Sequence, residues 1–381
     1  VRNQENLLLN NFCLKGYGIV VGNTRTTLHV SLRNTKKIKS ILICNVFFLI
    51  LKKADFDFLE SLFIVPEVMN MGYSFADLPV KMSFNESNVV VYGVPLDITT
   101  SFGKGTARGP EAIRLASARQ VETFILDEKV ELYDKVKIYD LGDLKIPTWI
   151  KVQEEGEEEE ESRQRINIAR TFSFLDKTIP KITSLLYEAN KLPVMIGGEH
   201  TLSYYPLKAL YTEEPIVIHF DAHRDMKQEY DGMRMCHTTQ FFHLMNEGYI
   251  PGKNIIQIGI RQTDREENNN AEKNGVITFD AWEVHNRIDK LLVYLKKITA
   301  NKKIYISFDI DVYDLPYVPC TGTPEPFGLN PFEVLNIIKS IDTSAKLIGL
   351  DFVEVALRND DYREGTLATQ TLFRILSQDF I

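Results

Sequence analysis

The sequence predicts an α/β protein, a single three-layer α/β/α domain built on a mostly parallel sheet. From residue 88 onward, short apolar runs rich in β-branched residues alternate with helix-like segments, which is typical of such sheets. These runs are continuously apolar rather than alternating, as expected of strands buried on both faces. A chain of 381 residues is long enough to bury a large core.

The predicted elements follow one another as strand and helix along the chain. The predicted strands are 88–94, 136–141, 192–197, 215–221, 254–260, 303–309 and 346–352. The predicted helices are 109–119, 163–190, 201–210, 238–247, 281–299, 330–341 and 366–378. Asn330 followed by Pro331 predicts an N-cap and a first helical position, because proline suits the first helical turn.

Residues 1–68 differ in charge from the rest of the chain. They hold nine Lys/Arg against five Asp/Glu, whereas the whole chain has a net charge of −8. Their apolar run, 41–51, is shorter than the ~20 residues that a membrane-spanning helix needs. We expect residues 1–68 to be an N-terminal extension outside the working domain, with Met69 a possible start. The working domain is then 69–381, with EEGEEEEE (154–161) as an acidic loop.

The net charge and the cysteine pattern argue against several classes of protein. Nucleic-acid binding favours a basic surface, which a pI near 5.5 does not predict, and no membrane partner is expected. The four cysteines, Cys13, Cys44, Cys236 and Cys320, are scattered and show no spacing of a zinc ribbon or a disulfide framework. We therefore expect a reducing, cytoplasmic location.

Acids and histidines stand at alternate positions where one predicted strand ends. In IHFDAHRDM these are Asp221, His223 and Asp225, and alternate residues of an extended segment share a face. Such groups are unfavourable to bury without a partner, so the segment predicts a binding site. His219 lies one step deeper in the strand. We interpret it as a core histidine or as one that supports a neighbouring ligand.

Three further predicted strands also end in acids or a histidine. SFDIDVYD contains Asp309 and Asp311, and GGEHT places His200 after a glycine pair. LIGLDFVEV likewise ends in Asp351 and Glu354. In open α/β sheets, ligands bind outside the carboxyl ends of the strands, where these residues are expected to meet.

A metal centre would explain this accumulation of acids, because four carboxylates packed without a positive charge repel one another. The candidate ligands are His200, Asp221, His223, Asp225, Asp309 and Asp311. Six are too many for one tetrahedral zinc and suit two ions that share carboxylates. Oxygen-rich ligation with few imidazoles favours Mn²⁺, with Fe²⁺, Co²⁺ and Zn²⁺ left open.

These motifs resemble those of the ureohydrolases, the arginase/agmatinase family, and the chain is most similar to the agmatinase branch. The resemblance covers roughly residues 88–378 and rests on GGEHT (197–201), DAHRD (221–225), SFDIDVYD (307–314), CTGTPEPFGL (320–329) and SFGKGTARGPEAIR (101–114). It implies an arginase-like fold, two Mn²⁺ per subunit and a homo-oligomer, a trimer or hexamer. Glu199 stands where many members have Asp, outside the ligand set.

The resemblance also implies a role for each site residue. One Mn²⁺ would be held by His200, Asp221, Asp225 and Asp309, and the other by His223, Asp221, Asp309 and Asp311. Catalytic roles fall to Asp225, His237 and Glu354. Glu354 would receive the guanidinium group and His237, in MCHTTQ, would bind near the substrate and shuttle protons.

The implied reaction is hydrolysis of agmatine to putrescine and urea. The loop after DAHRD holds Glu229 and Asp231 but also Lys227 and Arg234, so charge alone leaves the substrate open. The alternatives are guanidinobutyrate, another guanidino acid, or arginine. A formimidoyl or acyl-amine hydrolase on the same metal scaffold also remains, and a non-enzymatic metal-binding scaffold is the least favoured.

Overall fold

The structure is a computed structural model in which only part of the chain is described. The described backbone covers 19–24, 27–32, 55–77, 82–147, 157–358 and 361–381, and the described side chains cover 55–77, 82–147, 164–358 and 361–381. The apolar run 41–51 lies outside these residues. The chain divides into two compact units, 1–59 and 60–381. In the first, β1 (Ile19–Thr24) and β2 (Thr27–Leu32) form an antiparallel pair.

The second unit is built on a nine-stranded sheet. Its order is β11-β10-β9-β12-β13-β8-β4-β7-β3, and all neighbours are parallel except β3 and β7. The strands of this unit are β3 (Phe63–Ile64), β4 (Val89–Val94), β5 (Phe124–Ile125), β6 (Val130–Glu131), β7 (Ile138–Leu144), β8 (Leu192–Gly197), β9 (Ile216–Phe220), β10 (Ile255–Ile260), β11 (Ile277–Asp280), β12 (Lys303–Asp309) and β13 (Lys346–Val353). β5 and β6 form a separate hairpin.

Helices connect the strands of this sheet. They are α1 (Glu67–Asn70), α2 (Gly109–Arg119), α3 (Leu132–Lys135), α4 (Glu157–Glu188), α5 (Tyr204–Leu210), α6 (Gln240–Asn246), α7 (Arg265–Asn274), α8 (Ala281–Thr299), α9 (Pro331–Lys339) and α10 (Arg363–Leu376). The predicted α/β/α fold with a mostly parallel sheet is confirmed. Within the described residues, no helix is both long and apolar enough to span a bilayer.

The predicted strands all form, with ends shifted by a few residues. Asn330 caps α9 in a reciprocal capping box with Glu333, as predicted from the Asn-Pro pair. The prediction missed β11 and α7. The sequence of α7, REENNNAEKN, has almost no apolar stripe, so its hydrophobic periodicity gives no helix signal.

Two predictions on domain organisation, the acidic loop and the boundary after residue 68, can be compared with the observed elements. The acidic loop 154–161 is wrong for residues 157–161, which form the start of α4, while 154–156 lie outside the described residues. Glutamate forms helices readily, and negative charge is favourable at a helix N-terminus. The boundary after residue 68 stays a prediction, but β3 at 63–64 already pairs with β7.

A stack of three phenylalanines holds the central strands in register at the end where the acids lie. Phe308 of β12 is aligned with Phe220 of β9 and Phe352 of β13. The ring centroids of Phe220 and Phe308 are 4.8 Å apart, and those of Phe308 and Phe352 are 4.5 Å apart. All three rings are fully buried, so they fix where each strand ends.

Candidate metal centre and active site

The candidate site residues, which are the metal ligands and Glu354, come from the ends of four strands that are adjacent in the sheet. Strands β9, β12, β13 and β8 are consecutive neighbours, so their carboxyl ends meet at one edge. Asp221 follows β9, Asp309 ends β12, Glu354 follows β13, and His200 lies three residues beyond β8. The sequence placed these residues at strand ends, and the strand order brings them together.

His200 is the centre of the first half of the cluster. Its Nδ1 lies 2.9 Å from Asp221 Oδ2, 3.0 Å from Asp225 Oδ2 and 3.2 Å from Asp309 Oδ2. Nevertheless this buried nitrogen forms no hydrogen bond of acceptable geometry with the described residues. Burial acts to lower the pKa of His200, but the surrounding carboxylates raise it well above its usual range. The three acids therefore demand a positive charge at Nδ1, either a proton or a cation.

The other nitrogen of His200 is already used. Its Nε2 lies 3.1 Å from Ser307 Oγ, and the Ser307 hydroxyl donates to Asp351 Oδ1 at 2.8 Å. Since a hydroxyl has one hydrogen, Ser307 accepts from His200 Nε2–H. Ser203 and Tyr305 also donate to Asp351. The chain of bonds leaves Nδ1 as the nitrogen that faces the carboxylates, which is how second-shell partners orient a ligating histidine.

His223 is the centre of the second half of the cluster. Its Nδ1 lies 3.0 Å from Asp311 Oδ2 and 3.4 Å from Asp221 Oδ1. Asp311 Oδ2 is buried and has no hydrogen-bond partner among the described residues. Asp221 therefore offers one oxygen to each half. His200 Nδ1 and Asp311 Oδ2 are buried without a hydrogen-bond partner among the described residues, and both are atoms that ligate divalent cations, so the residues present fit a metal centre.

His219 lies against this cluster but supports it from outside. The Nε2 of Gln257 is 3.1 Å from His219 Nδ1, and Arg224 Nη1 donates to Gln257 Oε1 at 3.0 Å, which fixes the amide orientation. His219 Nδ1 is thus an acceptor, and its Nε2–H donates to Asp221 Oδ2 at 2.8 Å. Both nitrogens are occupied, so His219 positions Asp221, in agreement with the sequence interpretation.

The four aspartates of the cluster are all buried, and histidine is the only basic side chain that pairs with them among the described residues. None of Asp221, Asp225, Asp309 and Asp311 is more than 3% exposed. In the part of the chain that the structure describes, no lysine or arginine forms an ion pair with any of them. Burial, together with Asp311 and Asp221, raises the pKa of Asp309 well above its usual range. The cluster is therefore electrostatically unfavourable until a cation joins it.

Two acids of the site have left-handed backbone conformations. Asp225 has φ 55° and Glu354 has φ 60°, a region that few residues other than glycine adopt. The carbonyl of Asp225 accepts from Phe241 N–H at 3.2 Å, and Glu354 N–H donates to Gly198 O at 2.9 Å. Such conformations persist only where surrounding structure holds them, and they accumulate at functional sites.

Glu354 has one carboxylate oxygen without a partner. Oε1 accepts from His200 N–H at 2.8 Å, whereas Oε2 is buried and has no hydrogen-bond partner among the described residues. A Cβ at Gly322 would lie 2.4 Å from Oε2, so a side chain at this position would displace the Glu354 carboxylate. Burial raises the pKa of Glu354 to about 8, although the His200 amide opposes the shift. A cationic ligand at Oε2 would favour the ionised carboxylate.

His237 reaches the site from the loop that precedes α6. Its Nε2 lies 3.2 Å from Ser101 Oγ, its backbone N–H donates to Thr99 Oγ1, and its Nδ1 is buried without a partner in the described residues. Burial lowers the pKa of His237, which favours a neutral ring at pH 7. Glu199 accepts from both the N–H and the hydroxyl of Thr99 and so belongs to the support of this loop, outside the cluster.

A cavity of about 360 Å³ opens onto both the cluster and Glu354. It is lined by Ser101, His200, His223, Asp225, Lys227, Tyr230, His237, Thr238, Gln262, Thr263, Asp264, Glu267, Asp309, Thr323, Glu325 and Glu354. Glu229 and Asp231 are absent from this lining, and Arg234 contacts Glu247 instead.

The acids that do line the cavity wall were missed by the sequence analysis. Asp264 and Glu267 belong to the capping box of α7, and Glu325 Oε1 lies 3.8 Å from His223 Nε2. The Asp-x-x-Glu spacing of the capping box was the available signal for the first two. Lys227 contacts Asp264 and lies 3.9 Å from Glu267 Oε2, which reduces the negative charge of this wall.

Comparison with known proteins agrees with this geometry. The model of the Arginase family matches residues 87–377, which is most of the chain. The chain belongs to the arginase family. The predicted membership of the ureohydrolases is therefore confirmed, as is the predicted class of enzyme, a hydrolase of C–N bonds in linear amidines.

Relatives within the arginase family span most of this chain. An agmatinase of Pyrococcus horikoshii is 31% identical over 301 residues, which cover 79% of this chain and 94% of that protein. An N(1)-aminopropylagmatine ureohydrolase of Thermus thermophilus is 32% identical over 296 residues, which cover 75% and 88%.

Solved structures of the arginase family superpose on this chain. Proclavaminate amidino hydrolase from Streptomyces clavuligerus has a TM-score of 0.68 at 29% identity and covers 81% of this chain and 98% of its own. The agmatine ureohydrolase of Thermoplasma volcanium has a TM-score of 0.65 at 27% identity and covers 78% and 92%.

Proposed function

We propose that this enzyme hydrolyses the guanidino group of agmatine to putrescine and urea and that it uses two Mn²⁺ per chain. The observation that carries the proposal is the free Oε2 of Glu354, a buried acceptor that shares one cavity with the aspartate cluster. A guanidinium group is planar, cationic and rich in N–H donors, so it satisfies both the charge and the hydrogen-bonding capacity of this oxygen.

The cations would be held by the six residues of the cluster. His200, which lies against Asp221, Asp225 and Asp309, would hold one cation with those three acids. His223, which lies against Asp221 and Asp311, would hold the other with those two acids and Asp309. Two bound divalent cations would lower the pKa of a water molecule and supply a nucleophile at neutral pH. The oxygen-rich donor set supports the choice of Mn²⁺.

Glu354 would orient the substrate. Its Oε2 accepts from the guanidinium nitrogens and places the central carbon against the aspartate cluster. The left-handed backbone and the His200 amide hold the carboxylate in one orientation, so little reorganisation is needed at the moment of reaction.

Asp225 and His237 would move the protons. Asp225 accepts a proton from the attacking water and returns it to the alkyl nitrogen as the C–N bond breaks, which releases urea and the primary amine. Gln240 donates to Asp225 Oδ2 and keeps this carboxylate in place. His237, neutral near pH 7 and lining the same cavity, exchanges the proton with solvent.

The acidic wall of the cavity supports a substrate with a cationic tail. Asp264, Glu267 and Glu325 face the cavity against one lysine, Lys227, so the lining is net negative beyond the cluster. The ammonium end of agmatine suits this wall better than the carboxylate of guanidinobutyrate or arginine. Because there is room for more than one ammonium charge among three acids, a longer N(1)-aminopropyl derivative of agmatine is the second candidate.

Urea release tests the proposal directly. The Mn²⁺-loaded protein is assayed with agmatine, N(1)-aminopropylagmatine, arginine and 4-guanidinobutyrate side by side. We expect the highest kcat/KM with agmatine, and a higher value with the aminopropyl derivative would favour the second candidate. No urea from any of the four, with two cations bound per chain, would contradict the proposal and favour a formimidoyl or acyl-amine substrate.

A matched pair of variants keeps the assay specific. Glu354→Gln removes the charge that receives the guanidinium and is expected to abolish urea release with bound cations retained. Glu247→Gln changes an acid outside the cavity, paired with Arg234, and is expected to leave turnover unchanged. The trimer or hexamer inferred from the family resemblance stays a prediction, which light scattering of the full chain would check.

A further inference from the structure

A second group of potential cation ligands lies apart from the aspartate cluster. Cys320, Asp361 and Glu364 each offer one ligand atom, and the three atoms lie within 4.8 Å of one another. Cys320 stands in the loop after β12, and Asp361 and Glu364 flank the start of α10. None of the three lines the cavity of the active site.

Glu364 is the member that needs explanation. Its side chain is fully buried, and its Oε1 accepts from the backbone N–H of Cys320 at 2.8 Å. Its Oε2 is buried and has no hydrogen-bond partner among the described residues. A buried carboxylate oxygen without a partner is unfavourable, and such groups in folded proteins indicate an absent water, proton or ion.

We propose that Cys320, Asp361 and Glu364 form a further cation site, apart from the aspartate cluster. It would bind one thiophilic divalent cation, such as zinc. Zinc is bound by cysteine sulfur at about 2.3 Å and by carboxylate oxygen at about 2.1 Å, so tetrahedral ligand atoms lie roughly 3.6 Å apart. The three ligand atoms lie within 4.8 Å of one another, so they need to close by at most about 1.2 Å to reach this geometry. Cys320 and Asp361 are partly exposed, and Asp361 accepts from Arg363 Nε at 2.9 Å, so a bound cation must compete with this guanidinium for Asp361.

The acids of this group favour a cation, although the guanidinium groups of Arg358 and Arg363 act against one. Burial and the charge of Glu364 raise the pKa of the Cys320 thiol, and burial also raises the pKa of Glu364. A bound cation reverses both effects, because it stabilises the thiolate and the carboxylate together. The thiol makes the site softer than the all-oxygen and imidazole cluster, so zinc is favoured here over Mn²⁺.

The site would connect the loop after β12 with α10. Thr321, next to Cys320, donates its hydroxyl to the backbone carbonyl of Glu354 at 2.9 Å, and Gly322 lies against the Glu354 carboxylate. A cation that joins Cys320 to α10 therefore fixes the segment that forms one wall around Glu354. Its stabilising effect is expected to follow the usual linkage between ligand binding and folding.

The test uses the full chain with its active site loaded with Mn²⁺, to which Co²⁺ is then added. We expect a thiolate-to-metal charge-transfer absorption with Co²⁺ and one additional zinc per chain when Zn²⁺ is used instead. Cys320→Ser is expected to abolish the absorption, and Asp361→Asn and Glu364→Gln to weaken zinc binding at least tenfold. Cys236→Ser changes the buried cysteine of the active-site loop and is the matched control, expected to keep the absorption.

Two outcomes would overturn the site. One is no thiolate absorption in the unmodified chain, and the other is an absorption that persists in Cys320→Ser. Because Glu364→Gln alters a buried residue, the partly exposed Asp361→Asn serves as the variant with little risk to folding, and unchanged zinc affinity in it would also contradict the proposal. Urea release from agmatine is a separate measurement, so this proposal and the proposed reaction fail independently.

Discussion

Two clusters of buried carboxylates differ in where their positive charge comes from. At the β4–β7 side of the sheet, Arg114 of α2 donates two hydrogen bonds of 2.9 Å to Asp140 and one of 2.6 Å to Asp143. The Arg114 side chain is completely buried, and Asp140 and Asp143 are nearly so. At the β9–β12–β13–β8 edge, four buried aspartates have no such partner among the described residues.

The electrostatic consequences of the two arrangements are opposite. Burial acts to raise the pKa of Asp140, but the Arg114 guanidinium holds it below its usual range. Burial and neighbouring acids raise the pKa of Asp309, and the adjacent His200 opposes this shift only in part. We infer that a cluster with its own arginine belongs to the fold, whereas four acids with only histidines as basic neighbours form a candidate metal site. The comparison separates structural acids from functional ones by counting charges rather than by fold resemblance.

The largest expected effect is that of metal removal. Treatment of the full chain with a chelator should abolish urea release and lower the free energy of unfolding, by about 2.7 kcal/mol for a cation present at 100 times its dissociation constant. Activity assays and denaturant titrations with and without added Mn²⁺ measure both quantities. If chelation left stability and turnover untouched, the aspartate cluster would need no cation and the comparison would fail.

The second largest expected effect is that of removing the Arg114 guanidinium, the counter-charge of Asp140 and Asp143. Arg114→Met leaves two buried carboxylates unpaired, which is expected to lower the free energy of unfolding by about 3–5 kcal/mol without a direct effect on metal content. Arg119→Met on the same helix alters an exposed arginine and should change stability by less than about 1 kcal/mol. Equal effects of the two substitutions in chemical denaturation would show that Arg114 is not the counter-charge.

The hydrogen-bonded chain behind His200 should have a smaller effect, confined to metal binding. Ser307→Ala removes the acceptor of His200 Nε2–H, and we expect metal affinity to fall about 10–100-fold. Ser203→Ala removes a donor to Asp351 and a 3.3 Å contact with Ser307 Oγ but no hydrogen bond to the His200 ring, so it is the matched control. Isothermal titration of the metal-free proteins with Mn²⁺ distinguishes them, and identical affinities would contradict the role of Ser307.

The smallest expected effect is that of replacing one aspartate in each cluster by asparagine. It is also the most specific, because the change in the free energy of unfolding should have opposite signs in the two clusters. Asp309→Asn should stabilise the metal-free protein at pH 7 by on the order of 1 kcal/mol, whereas Asp140→Asn should destabilise it. The folded pKa of Asp309 is raised, so its contribution to stability falls as pH rises above the unfolded value near 4. The folded pKa of Asp140 is lowered, so its contribution is present above that value and is lost as pH falls below it.

Thermal unfolding of the metal-free variants between pH 4 and pH 8 measures these contributions. The stability of the Asp309→Asn protein should depend less on pH than that of the unmodified chain. The Asp140→Asn protein should be less stable than the unmodified chain at neutral pH. The same sign for both substitutions at pH 7 would mean that the two clusters do not differ in counter-charge.

The sequence predicted the parts of the fold that follow from local pattern. Strand–helix alternation and acids at strand ends located the cluster, because both depend on short-range periodicity and on a general property of parallel sheets. The Ser307–Asp351 pair was not interpreted, since it is formed by polar residues inside two apolar strands that meet only after the sheet assembles. Arg114 was part of a recognised turn-and-helix segment, but its pairing with Asp140 is likewise a long-range contact.

The acids that line the cavity wall could not be predicted from the sequence for a related reason. Asp264 and Glu267 start a helix with almost no apolar stripe, and Glu325 lies in a loop, so neither segment shows a hydrophobic pattern. The acids that the sequence offered, Glu229 and Asp231, lie in the expected loop but do not line the cavity. Which charged residues face a pocket depends on how loops fold over the sheet, and single-sequence periodicity carries no information on that.

The stack of Phe220, Phe308 and Phe352 is structurally separate from the residues that line the cavity wall. It packs at the end of the sheet that carries the aspartate cluster, whereas Asp264, Glu267 and Glu325 line the cavity from the start of α7 and from the loop after β12. The stack and the wall share no residue, so we expect substitutions in the wall to leave the stack in place. Variation of the wall is then expected to alter substrate preference while the buried cluster is kept.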